Sequence, residues 1–265
     1  MRAMVLVAAA AAVGLLGAAE APKPAPATPL TTITPYLGQG DLDTYKILPP
    51  APVAGTTRYE ADRTIFLQTR KLEGTPRWDM AKADDNSLGI VRGMSCAIGA
   101  ELTPENAPKT YRLLMRMGRD ASITTNNPKD IYKRQRPYLI DEGNICIAKS
   151  DALAKSPDYP SGHNTWGWSV GLILAELVPD RATPIMARAR AFGESRLVCG
   201  VHNMSAVHIG WANGSAMVAA LHGKEEFRKD LEVARKEIAA VRKTAPTPDA
   251  AKCAAEAELV SKSPY

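Results

Sequence analysis

The chain has 265 residues, with 33 Lys and Arg against 28 Asp and Glu, which gives a formal net charge of +5 at pH 7. Charges of both signs are interspersed along the chain, as in residues 223–243, and this pattern is typical of solvated helix faces. Nucleic-acid binding would need a basic stripe with interleaved aromatic side chains, which the sequence lacks. The composition therefore indicates no nucleic-acid partner and allows one domain with a sizeable core.

The N-terminus has the pattern of a secretory signal. Arg2 precedes an apolar run from Met4 to Leu16, and Gly17 with Ala19 offers a small-residue cleavage site, so we predict a signal peptide over residues 1–19. The run is shorter than the roughly 20 apolar residues that span a bilayer. We therefore expect no membrane association after cleavage and a periplasmic or secreted protein. Residues 20–36, rich in Pro, Ala and Thr, are predicted to form an extended tether.

The middle of the chain, residues 37–243, is predicted to be helical. Apolar residues recur at spacings of three and four in the segments 62–74, 103–123, 165–178, 183–196 and 205–223. Thr103, Thr183 and Ser205 are predicted N-caps. Because no useful run alternates as a strand would, we predict an all-α, single-domain helical bundle. A C-terminal tail over residues 244–265 begins with a Pro-rich stretch like the tether.

The four cysteines are Cys96, Cys146, Cys199 and Cys253. In an exported chain they indicate one or two disulfides, and sequence does not rank the three full pairings. Cys199 lies in the apolar stretch LVCGV and could instead be a buried free thiol. The absence of a CxxC pair argues against a structural zinc site.

Two short motifs carry candidate anion-binding residues. In KDIYKRQRP, Lys129 and Arg136 are seven residues apart and are predicted to share a helix face, although two such cations could be ordinary surface charge. In DYPSGHN, the Ser161 hydroxyl and the Gly162 N–H are predicted to lie at a helix N-terminus, which favours anions. His163 could then donate a proton to a bound anion. An ordinary turn is the alternative.

The third motif is GESRLVCGVH, residues 193–202. The small residues between Arg196 and His202 predict a tight connection that returns His202 towards the arginine. A lone buried histidine is more often a satisfied core residue, but the other two motifs also supply anion ligands. The three motifs together therefore favour an oxyanion site.

In order, these motifs resemble the three-part signature of the type 2 phosphatidic acid phosphatase superfamily, and most closely its bacterial class A nonspecific acid phosphatases. The likeness is densest from Lys129 to Lys243. It implies the helical fold that these enzymes share with vanadium haloperoxidases, an acid phosphatase domain over residues 37–243, and hydrolysis of small phosphomonoesters without a metal or cofactor. The histidines form no HxxxH or HExxH pair.

The resemblance also implies a role for each motif residue. His202 would attack phosphorus to form a phosphohistidine, and His163 would protonate the leaving alcohol and later activate water. The phosphoryl oxygens would be bound by Lys129, Arg136, Ser161, Gly162 and Arg196.

The sequence departs from the family pattern at Ala206. The pattern places an Asp four residues after the nucleophilic histidine, where its carboxylate accepts the second ring N–H. With alanine there, we expect a main-chain oxygen or a water to take that N–H, a slower enzyme, and a higher kcat for Ala206→Asp. Asn164 also replaces the more usual Thr.

Two other functions are compatible with these residues. A similar set of residues binds vanadate in vanadium haloperoxidases, and a phosphate-binding periplasmic protein without turnover would also need the anion ligands. Exposed apolar helix faces would allow a homo-oligomer.

Overall fold

The computed structural model describes residues 32–265, which form α-helices, short 3-10 helices and loops with no strand. This confirms the predicted all-α class. The predicted signal peptide and residues 20–31 of the predicted tether lie outside the described residues. The α-helices are α1 Thr44–Ile47, α2 Thr57–Arg70, α3 Pro76–Ala83, α4 Ile90–Gly93, α5 Ser95–Ile98, α6 Pro108–Tyr132, α7 Asp151–Lys155, α8 Gly162–Leu177, α9 Ala182–Val198, α10 Met204–His222, α11 Glu225–Thr244 and α12 Ala250–Ser261. The 3-10 helices are Ser87–Gly89, Pro137–Leu139 and Pro179–Arg181.

The centre of the bundle is helix α8, which packs most extensively against α10 and α9. Its side chains are apolar on nearly every face, as expected of a helix that neighbours surround. The amphipathic helices α6 and α11 cover this centre with Leu113, Met117, Phe227 and Leu231, all buried. The charged faces of α6 and α11 remain towards solvent. Because α6, α9, α10 and α11 all pack against α8, the N-terminus of α8 lies among neighbouring helices.

The five predicted helices are present, but their N-caps were wrong. Thr103 caps a turn before α6 by accepting the Asn106 N–H at 3.2 Å, and α6 begins only at Pro108. Thr183 lies inside α9. Ser205 lies inside α10, where its hydroxyl donates to Asp62 at 2.6 Å. The hydroxyls of Thr103 and Ser205 are thus used in contacts other than the predicted caps.

Two disulfides tie loops and the C-terminal helix to the bundle. Cys96 pairs with Cys253 and joins α5 to α12. Cys146 pairs with Cys199, so the alternative of a free Cys199 thiol was wrong. The second bridge fixes the chain where α9 ends, three residues before His202. None of the helices formed by residues 32–265 combines the length and apolarity that a bilayer span requires.

Both ends of the described chain contact the domain. Tyr36 is buried, with its N–H on Asp120 at 3.1 Å and its hydroxyl donating to Asp230 at 2.7 Å. Residues 246–249 are non-helical, and α12 follows them. From α12, Glu256 reaches Arg188 of α9 at 3.5 Å.

Candidate active site

The three sequence motifs meet at the N-terminus of α8. His202 lies in the loop after α9, and its Nε2 is 3.2 Å from Nη1 of Arg136. The backbone N–H of His202 is 3.3 Å from the Arg196 carbonyl, so the connection returns the histidine towards the arginine as predicted. His202 is 4% exposed and lies among cations rather than in an apolar core.

Lys129 and Arg136 do not share a helix face, and that prediction was wrong. Helix α6 ends at Tyr132, because Lys133 takes a left-handed φ of 46°. Pro137 then holds Arg136 extended, with φ −72° and ψ 150°. The two cations meet instead at the Ser156 hydroxyl, which is 3.5 Å from Lys129 Nζ and 3.2 Å from Arg136 Nη2.

The Arg136 guanidinium is fixed by backbone carbonyls on both sides of the site. Its Nε donates to the Ser156 carbonyl at 2.8 Å, and its Nη1 donates to the Val201 carbonyl at 2.7 Å. Since Val201 immediately precedes His202, these bonds hold Arg136 beside the histidine ring.

Ser161 is the N-cap of α8, so its hydroxyl and the N–H of Gly162 lie at the helix N-terminus as predicted. The Ser161 oxygen accepts the backbone N–H of Asn164 at 3.4 Å and its side-chain amide at 3.0 Å. Because both bonds are accepted by the oxygen, the hydroxyl hydrogen of Ser161 remains available for an anion.

His163 is held from two sides. Its Nε2 is 2.7 Å from the Asp84 carbonyl, and its ring stacks on Phe192 with centroids 4.4 Å apart. A carbonyl only accepts, so Nε2 carries the proton and Nδ1 is the free nitrogen. The Asp84 carboxylate is itself fixed by Arg188 at 2.6 Å and by the Ser195 hydroxyl at 2.6 Å.

Arg196 supplies a third buried cation. Its Nη1 donates to Asp85 at 2.8 Å. Its Nε is buried and has no hydrogen-bond partner within the part of the chain that the structure describes. A buried donor without a partner is costly in the absence of a ligand, so Arg196 favours an anion at this point.

The clustered cations shift the pKa values of the site. Burial and the neighbouring Arg136 lower the pKa of Lys129 to about 8. Burial and the cations Arg136, Lys129 and Arg196 hold the pKa of His202 well below its usual value. The pKa of His163 is also well below its usual value because of burial and Arg196. A bound anion would relieve this repulsion.

The second ring nitrogen of His202 has a carboxylate partner that the sequence did not indicate. Asp158 Oδ1 is 2.9 Å from His202 Nδ1, and both groups are buried. The expectation of a main-chain oxygen or a water at this position was therefore wrong. The available signal was an acidic residue just before PSGH in a chain with Ala206.

A cleft opens beside Lys129 and His163. It is lined by Leu88, Met115, Lys129, His163 and Trp166, among others. The wall of the cleft is partly polar and partly apolar, and the cleft has space next to His163 for the organic part of an ester.

Comparisons with known proteins identify the family of this chain. The family description "PAP2 superfamily" matches residues 113–229. An acid phosphatase of Zymomonas mobilis is 40% identical over 212 residues, which are 79% of this chain and 80% of that protein. A non-specific acid phosphatase of Providencia stuartii is 34% identical, covering 76% of this chain and 83% of that protein. One from Salmonella typhimurium is 32% identical, covering 72% and 78%. The chain therefore belongs to the acid phosphatases of the PAP2 superfamily.

Proposed function

We propose that this protein hydrolyses small phosphomonoesters through a phosphohistidine on His202. The observation that carries the proposal is the position of Nε2 of His202 beside a cluster of buried cations. Arg136 lies 3.2 Å from Nε2, and the charges of Lys129 and Arg196 also lower the pKa of the ring. Oxyanion charge and a nucleophilic nitrogen are thus accommodated at the same place.

In the first step, the Nε2 lone pair of His202 forms a bond to phosphorus while the bond from phosphorus to the ester oxygen breaks. The leaving oxygen takes a proton from Nδ1 of His163, the nitrogen that the Asp84 carbonyl leaves free. His163 can do this only when both of its nitrogens are protonated. A bound phosphate would raise the pKa of His163 by offsetting Arg196, which supports activity in acid.

In the second step, water attacks the phosphorus atom of the phosphohistidine. His163 Nδ1 accepts the water proton, the bond between Nε2 and phosphorus breaks, and phosphate leaves. Lys129, Arg136 and Arg196 hold the phosphoryl oxygens in both steps, with donors from Ser161 and the Gly162 N–H. These groups supply the positive charge that a metal provides in other phosphatases, so we propose a reaction without a metal or cofactor.

We further propose export to the periplasm or the medium. Support comes from the signal pattern of residues 1–19 and from the two disulfides, because disulfides persist in oxidising compartments.

The experiment that tests the mechanism is rapid-quench trapping with a labelled phosphomonoester that has a good leaving group. The purified protein should give an acid-labile phosphoenzyme, and His202→Ala should give none. His163→Ala should still be labelled, because a good leaving group does not need protonation. Vanadate and phosphate should inhibit competitively, and EDTA should have no effect.

Equal labelling of His202→Ala would contradict the assignment of the nucleophile. Loss of activity on chelation, restored by a divalent ion, would contradict the reaction without a metal.

A further inference from the structure

His202 takes its carboxylate partner from an unexpected part of the chain. The class A phosphatase pattern has an Asp four residues after the nucleophilic histidine, and this chain has Ala206 there. The carboxylate that contacts the ring belongs to Asp158, which precedes His202 by 44 residues. We infer that Asp158 is the positioning residue of His202 and that the orienting carboxylate has moved from position 206 to position 158. The inference rests on the proposed phosphatase function.

The contacts of the ring fix its tautomer. A guanidinium only donates, so the nitrogen that faces Arg136, Nε2, must accept. The proton is therefore on Nδ1, which donates to Asp158 Oδ1 at 2.9 Å. This leaves the Nε2 lone pair on the side of the cations, as nucleophilic attack requires. Asp158 stabilises this tautomer by accepting the Nδ1 hydrogen, whereas the other tautomer would place a proton on the attacking nitrogen and direct it at Arg136.

Asp158 is itself held rigidly. Its Oδ1 accepts the backbone N–H of Asn203 at 3.1 Å, and its Oδ2 accepts the Asn203 side-chain amide at 2.9 Å. Arg134 Nη1 lies 3.5 Å from Oδ2. The Asp158 N–H donates to the Arg134 carbonyl at 2.8 Å. Both carboxylate oxygens are occupied, so the side chain cannot turn away from His202.

Charge also favours this assignment. Burial raises the pKa of Asp158, while Arg134 and the Asn203 amide oppose that rise and favour the ionised form. In residues 32–265, Asp158 is the one carboxylate within ion-pair distance of the His202 ring. When Nε2 bonds to phosphorus, the ring becomes positive, and the bond to Asp158 strengthens. Its contribution should therefore appear in kcat more than in KM.

A carboxylate at position 206 is unfavourable while Asp158 is present. Ala206 is fully buried in the first turn of α10, and its carbonyl accepts the Ser161 N–H at 3.0 Å. Arg134 already pairs with Asp62 at 2.8 Å and with Asp158. An Asp at 206 would add a buried carboxylate without its own cation. We therefore expect Ala206→Asp to lower kcat, the reverse of the expectation from sequence.

The first test compares Asp158→Asn with Asp62→Asn. Asp62 is a buried carboxylate on the same Arg134, but it contacts Ser205 rather than His202. We expect Asp158→Asn to lower kcat by about 10² to 10⁴, as for orienting carboxylates in serine proteases, with vanadate affinity nearly unchanged. Asp62→Asn should lower thermal stability and change kcat only a few-fold. Equal kcat losses, or an Asp158→Asn variant with the parent kcat, would overturn the inference.

The second test moves the carboxylate back. In the single variant Ala206→Asp, kcat should fall or stay constant. In the double variant with Asp158→Ser, the same substitution should recover kcat relative to Asp158→Ser alone. An increase of kcat in the single variant, or no recovery in a double variant that folds, would show that the two positions do not exchange this function.

The third test does not depend on turnover. Ring ¹⁵N chemical shifts of the whole protein should show His202 protonated at Nδ1 and unprotonated at Nε2. The opposite tautomer would overturn the inference even if Asp158→Asn does not fold. Failure of the protein to hydrolyse any phosphomonoester, with this tautomer intact, would instead contradict the proposed function.

Discussion

At the residue scale, the two site histidines carry their ring protons on different nitrogens. The Asp84 carbonyl accepts a hydrogen bond from the Nε2–H of His163, whereas the Asp158 carboxylate accepts one from the Nδ1–H of His202. Each ring therefore turns a different free nitrogen to the site. This difference supports the proposed roles of His202 as nucleophile and of His163 as acid and base, although the two side chains are chemically identical.

The orientation of the Ser161 hydroxyl depends on the side-chain amide of Asn164, which donates a hydrogen bond to its oxygen. We expect Ser161→Ala to lower kcat by about 10², the cost of losing one donor to a developing oxyanion. Asn164→Ala should lower kcat about tenfold, because the Ser161 hydroxyl loses the amide that turns its hydrogen towards the anion. The measurement is steady-state kinetics of both variants and of the double variant.

The double variant decides whether Asn164 acts through Ser161. If it does, Asn164→Ala should cause no further loss once Ser161 is alanine, because the two residues act as a unit. Losses that multiply in the double variant would contradict this coupling.

The residues that short motifs carry were predictable, and Asp158 was not. Ser161, Gly162 and His163 are consecutive, and the structure places them together at the start of α8. Asp158 contacts His202 across 44 residues of sequence, and the acidic residue before PSGH does not by itself indicate which side chain it will contact.

At the scale of the elements, α8 and α9 approach closely through glycines. A Cβ on Gly171 would lie 2.4 Å from the Ala189 Cβ. A Cβ on Gly193 would lie 2.1 Å from Asn164 Oδ1. Both positions therefore set the spacing of the two helices, but only Gly193 touches a residue that orients Ser161.

This contrast gives a matched pair of variants. Gly171→Ala and Gly193→Ala should each lower the free energy of unfolding by about 1–3 kcal/mol through overpacking, less up to about 1 kcal/mol of gained helix propensity. Only Gly193→Ala should also lower kcat/KM, because it displaces Asn164. Urea unfolding and steady-state kinetics on the two proteins provide the measurements, and an equal loss of kcat/KM in both would disprove the distinction.

Helix ends could not be predicted as well as helix existence, and α6 shows why. The predicted helix stopped at residue 123, whereas α6 continues through Pro128 to Tyr132. Pro128 has no N–H for the Thr124 carbonyl four residues earlier. The Thr44 hydroxyl donates to that carbonyl at 2.7 Å instead. A residue 80 positions away thus permits the extension that brings Lys129 to the site.

At the scale of the whole molecule, the site concentrates positive charge inside a chain that is already cationic. Lys129, Arg136 and Arg196 are each less than 10% exposed, and burial lowers the pKa of all three. Holding these groups together without an anion costs stability, and a bound phosphate offsets that cost. Fold stability and ligand binding should therefore be linked.

The linkage predicts how stability changes with pH. The folded pKa values of His163 and His202 lie well below the value of about 6.5 expected for the unfolded chain. Below that value the unfolded chain binds more protons than the folded one. The free energy of unfolding should therefore decrease as the pH is lowered, by up to about 1.4 kcal/mol per pH unit for each histidine. Urea unfolding between pH 7.5 and pH 5.5 measures this slope.

One variant isolates the histidine contribution from carboxyl groups that titrate lower. His163→Gln should reduce the slope relative to the parent protein, because the variant lacks the buried ring whose folded pKa is lowered. Phosphate at 100 times its dissociation constant should add about 2.7 kcal/mol to the unfolding free energy, and more of its effect should persist in acid because the anion favours protonated His163. A slope that is the same in His163→Gln and in the parent protein, or a phosphate effect that disappears below pH 6, would mean that the buried histidines do not couple the site to the fold.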